Sequence, residues 1–62
     1  MKVREVIRRI EQAGWRLVRQ RGPHRQFKHP LRPGVVTIAG RDGADLPIGT
    51  LKSIFRQAGI RP

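Results

Sequence analysis

Val3, Val6, Ile7 and Ile10 recur at the spacing of one helical face, while Arg4, Glu5, Arg8, Arg9 and Glu11 fill the other. With Gly14 placed to stop the run, the pattern predicts an amphipathic helix of about three turns. Glu5 and Arg9 stand four residues apart, so a surface pair between them is expected. From Trp15 the period changes to two. Trp15 and Leu17 point one way, Arg16 and Val18 the other, and Gln20 to Pro23 breaks the run, which predicts a first strand and a turn.

His24 to His29 reads as a second short strand in which Phe27 faces the core and His24, three positions away, faces the opposite side. His29 falls on Phe27's side, away from His24. Pro30 to Gly34 forms a rigid turn, and Val35 to Ala39, β-branched at all but its last position, forms a third strand. Beyond the polar loop from Gly40 to Leu46, Pro47 opens a helix in which Ile48, Leu51, Ile54, Phe55 and Ala58 share a face. Gly59 closes it, and Ile60 folds back as the apolar contact of a left-handed cap. Neighbouring strands on short turns pair antiparallel, and two helices with one apolar face each cover the same side of the sheet. The expectation is an α+β fold of order α-β-β-β-α, one domain over residues 1–62, whose other sheet face stays open.

Charge gives that open face a character. The chain has 62 residues and a formal net charge of +10. From Gln12 to Arg41 there is no Asp or Glu, while Arg16, Arg19, Arg21, Arg25, Lys28, Arg32 and Arg41 all fall there. A polyanion is the partner this suits, and Arg outnumbers Lys as phosphate recognition favours, though genomic base composition produces the same bias. Ribosomal proteins and passive binding modules share such charge, so it names a partner class and no activity.

His24 is where chemistry could reside. Histidine is the side chain that exchanges protons near neutrality, and Gly22-Pro23 fixes the backbone just before it. Arg21, Arg25 and Lys28, close by in sequence, are expected to hold a phosphate beside it. Cleaving RNA through its own 2′-hydroxyl requires one base and cationic stabilisation of the phosphate, and no metal. The plain alternative is a surface histidine at the start of an edge strand. Trp15 and Phe27 could stack on bases, yet with only three aromatics the core requires them. Asp42 and Asp45 read as loop and helix-cap residues. Lys52 and Arg56 read as a solvated face.

Without cysteine, and with two histidines and four scattered acids, no metal site or cofactor is expected. The charged stretch Met1 to Ile10 is unlike a signal sequence, and no apolar run is long enough to span a bilayer, so a cytoplasmic protein is expected.

These features converge on a family. The opening helix ending in Gln12-Ala13-Gly14-Trp15, the Gly22-Pro23-His24 segment leading to Phe27 and His29-Pro30, the strand Val35-Val36-Thr37-Ile38 and the closing stretch Leu46 to Ile60, with its Gly-Thr-Leu and Gln-Ala-Gly-Ile elements, occur in order. The chain resembles the HicA toxins, small mRNA interferases of toxin–antitoxin modules. The resemblance implies a fold like the double-stranded RNA-binding domain and endoribonuclease activity on mRNA. It further implies His24 as the catalytic residue with Gly22 in its motif, and a HicB-type antitoxin that masks the site. Arg19, Arg21, Arg25 and Lys28 would bind the RNA around them. Pro23 stands where many members carry Ser or Thr, and Ala39-Gly40-Arg41 where many carry a Pro and a second His. Catalysis would therefore rest on one histidine. The competing reading is a non-catalytic RNA-binding module of the double-stranded RNA-binding type, against which the single Lys52 at the start of the last helix argues.

Overall fold

The computed structural model describes residues 1–61. Its elements run α1 (Val3–Gln12), β1 (Arg16–Arg21), β2 (His24–Lys28), β3 (Val36–Ala39) and α2 (Ile48–Ala58). The strands form one antiparallel sheet in the order β1-β2-β3, so the α-β-β-β-α arrangement read from the sequence is the one found.

The core accounts for the helix placement. Val3, Val6, Ile7 and Ile10 of α1 and Ile54, Phe55 and Ala58 of α2 bury against Phe27, Val36 and Ile38, all from one face of the sheet. Both helices therefore cover that face, and apolar burial is what holds them there. Trp15, 1% exposed, joins the same cluster and donates from Nε1 to the Ala58 carbonyl at 3.1 Å, which satisfies its one polar atom and pins the end of α2 to the start of β1. Trp15 and Phe27 are core residues, as their scarcity suggested. Ile48 is not: it opens α2 at 71% exposure, outside the stripe formed by the residues after it.

The ends of the helices are closed by neighbouring backbone. Val3 N–H donates to the Ala44 carbonyl and Arg4 N–H to that of Asp42, so the β3–α2 loop caps α1. Glu5 does not pair with Arg9. Its carboxylate instead accepts from the Lys2 N–H at 2.9 Å, because satisfying a free helix donor outweighs a surface ion pair. Arg9 lies with its guanidinium 5.3 Å from the Phe55 ring centroid. At the other end of α2, Gly59 takes a φ of 72°, with Gly59 N–H donating to Arg56 and Ile60 N–H to Phe55, the left-handed cap expected of Gly-Ile. Asp42 and Asp45 pair with Arg25 and Lys2, at 2.6 and 3.1 Å.

The first strand departs from the simple alternation in two ways. It continues through Gln20 and Arg21, leaving a turn of only Gly22 and Pro23. It also carries an extra residue: Leu17 pairs with Phe27 and Arg19 with Gln26, so Val18 is a bulge. All six residues of β1 are exposed. The strand extends past the cover of the helices, and Leu17 on the core side is still 47% exposed.

Candidate functional site

Pairing register decides which side chains share the open face. In β2, Arg25 and Phe27 lie opposite Ile38 and Val36, both buried, so they belong to the helix side. His24 and Gln26 lie opposite Ala39 and Thr37, both exposed, on the bare side. The bulge then determines β1. An unbroken period of two from Leu17 would put Arg19 and Arg21 on the helix side, whereas the inserted Val18 shifts the phase and sets Arg19 across from Gln26 and Arg21 across from His24. Arg19, Arg21, His24, Gln26 and Thr37 together line a shallow concavity of about 320 Å³.

The turn that presents His24 follows from its two residues. Gly22 has a φ of 57°, which an L side chain adopts only with strain, and Pro23 holds the negative φ that follows. Positive then negative φ is the sign pattern of a II′ hairpin turn, the kind whose twist matches that of paired strands. Gln20 Nε2 donates to the Gly22 carbonyl at 3.2 Å, and Gly40 N–H donates to that of Pro23 at 3.1 Å. His24 is thus fixed from both neighbouring strands while its ring stays exposed.

Two of the expected cations are elsewhere. Arg25 is on the opposite face, where its guanidinium meets Asp42; adjacent residues of a strand point to opposite sides, so it cannot share a phosphate with His24 across the sheet. Lys28 shares the open face but pairs with Arg16 at its far end, four residues or about 13 Å of strand from His24. Arg16 itself folds back, donating to the carbonyls of Glu11 and Trp15. Arg19 and Arg21 are the guanidinium groups beside the histidine. The acids stay off this face, since Glu5 and Glu11 lie on α1 and Asp42 and Asp45 in the β3–α2 loop.

His29 has different work. Its Nε2 lies 2.9 Å from the Ala13 carbonyl and its Nδ1 accepts from the Leu31 N–H at 3.0 Å, which sets the tautomer with the proton on Nε2. The ring also meets Trp15 edge-on, 5.4 Å between centroids. Both nitrogens are occupied in joining the end of α1 to the β2–β3 turn. Among the described residues, no three His, Asp or Glu side chains gather as metal ligands would, and no helix is long and apolar enough to cross a membrane.

Gln26 and Thr37 were not singled out by sequence reasoning. Alternation from His24 already places Gln26 on its face, but Thr37 becomes its neighbour only through the β2–β3 register, which no local pattern encodes.

A histidine at a hairpin end, beside two arginines on the bare face of a sheet backed by two helices, sits in a small α+β domain with the α-β-β-β-α order of the double-stranded RNA-binding type. A family model describing the HicA toxin of bacterial toxin–antitoxin systems matches residues 3–60. The chain belongs to the HicA toxin family, and membership supports a toxin–antitoxin role and RNA binding. No curated protein matches it.

Proposed function

We propose that this chain is an endoribonuclease toxin that cleaves single-stranded mRNA on the open face of its sheet, with His24 as general base. The observation that carries this reading is the direct pairing of His24 with Arg21, with Arg19 on the same face and no acid among them. A neutral imidazole nitrogen takes the proton of a ribose 2′-hydroxyl, and the oxygen attacks the adjoining phosphorus. The bond to the 5′-oxygen breaks, and that oxygen takes a proton from water. The products are a 2′,3′-cyclic phosphate and a 5′-hydroxyl. Arg21 and Arg19 neutralise the charge gathering on the non-bridging oxygens, and Lys28 holds the strand further along. Gly22 contributes through its backbone, by making the turn. One positioned base of this kind contributes roughly 10²- to 10⁴-fold.

Residues 1–62 form a single domain in this reading, and a HicB-type antitoxin is its regulatory partner. An antitoxin surface rich in acids would cover the arginines and histidine together, and binding only the folded form would also stabilise a domain this small. The test is incubation of the protein with a single-stranded RNA in EDTA, followed by end analysis of the fragments. Cyclic phosphate ends are expected. Intact RNA, bound but uncut, would leave an RNA-binding module and end the catalytic reading.

A further inference from the structure

Two rows of side chains cross the open face next to each other. The outer row is Arg21, His24 and Ala39; the inner is Arg19, Gln26 and Thr37, each set paired directly across β1, β2 and β3. The inner row holds the one amide and the one hydroxyl that these strands place on the bare face, Gln26 and Thr37, and the register sets them opposite one another. Both line the same concavity as His24. Among the described residues neither side chain is engaged with a protein partner, unlike Arg25, Gln20 and His29. Gln26 is also half-buried, while Thr37 is exposed.

From this arrangement we infer that Gln26 and Thr37 read the base of a nucleotide beside the scissile phosphate, giving the site a base preference. The inference rests on the reading of the open face as a single-stranded RNA site. Guanidinium groups only donate, which suits phosphate oxygens and tells one nucleotide from another poorly. An amide and a hydroxyl each donate and accept, and base edges differ in the arrangement of donors and acceptors. Gln26 is two residues from His24 on one face, about 6.6 Å along the strand, so a nucleotide with its phosphate at His24 and Arg21 has its base within reach of the inner row. On the far side of His24, Ala39 presents only a methyl group and leaves the outgoing strand room.

The test measures binding without turnover. Four 2′-O-methyl octamers, one for each base, lack the attacking hydroxyl and are titrated by fluorescence anisotropy into the native chain, Gln26→Ala, Gln26→Met and Thr37→Val. The native chain should separate the tightest from the weakest octamer by roughly tenfold, at the low end of what an amide paired to a base edge discriminates. Each variant should compress that ratio towards twofold with the salt dependence unchanged, because the phosphate contacts remain. Thr37 is exposed, so Thr37→Val carries the test even if a Gln26 variant does not fold. Equal binding of all four octamers by the native chain, or an unchanged ratio in the folded variants, overturns the inference. Cleavage is not read in this assay: selective binding by a chain that cuts nothing would end the catalytic reading and leave this one intact. A cutting chain whose folded variants keep the native ratio would do the reverse.

Discussion

Arg21 and His24 face each other as the closing pair of the β1–β2 hairpin, with only Gly22 and Pro23 between them. The guanidinium and the imidazole are therefore brought together by backbone geometry, without a contact that either side chain has to make. Gly40 adds a hydrogen bond to the Pro23 carbonyl from β3's end, so all three strands contribute to where the histidine begins. Pro23 lacks a hydroxyl to offer a substrate, but it supplies the fixed φ that this short turn uses.

The bulge makes a counterintuitive prediction. Deleting Val18 removes the one unpaired residue and leaves every observed β1–β2 pair in place, so Arg19 and Arg21 should stay on the open face. For single-stranded RNA, each phosphate contact contributes about 0.7 to the slope of log affinity against log salt. The deletion should shift that slope by less than one contact's worth. A loss of about 1.4 would mean that both arginines had turned to the other side.

Arg25 and Arg21 should behave as opposites. Arg21→Ala is expected to lower the salt slope by about 0.7, whereas Arg25→Ala should leave it unchanged. Arg25 acts instead on stability, through Asp42. Because the Asp42 side chain is 61% exposed, a double-mutant cycle on this pair, read by denaturant unfolding, should give a coupling below about 1 kcal/mol.

The two histidines should separate cleanly. His29→Ala leaves the Leu31 N–H and the Ala13 carbonyl without their partner and removes the edge contact with Trp15, at a cost of about 1–3 kcal/mol in urea unfolding. At a temperature where the variant is folded, RNA affinity and cleavage should match the native chain. Lost cleavage in a folded His29→Ala protein would contradict the division of roles.

Much of this was legible in the chain because it is written locally. The helical stripes, the Gly59-Ile60 cap and the opposition of Phe27 to His24 all follow from periods of 3.6 and 2, and each appears as read apart from Ile48, which falls outside the α2 stripe. Arg25's face is encoded by the same alternation, which sets it opposite to His24 although the two are adjacent in sequence. The placement of Arg19 and Arg21 was illegible for a different reason. A bulge is a property of two strands together, and nothing in Arg16 to Arg21 alone marks Val18 as the residue without a partner. Thr37 likewise joins the site only through pairing. Glu5 shows a third kind of gap, two local rules in competition, of which the helix-end hydrogen bond prevailed.

The central claim is that His24 performs the chemistry while the face around it performs the binding. The most direct measurement is the cleavage rate of a single-stranded RNA by native and His24→Ala proteins, both saturated with substrate, in EDTA. The ring is exposed, so the variant should keep the native melting temperature and salt slope while its rate falls by at least about 10²-fold, the lower range for a positioned base. A folded, RNA-saturated His24→Ala protein that cuts at the native rate would contradict the account.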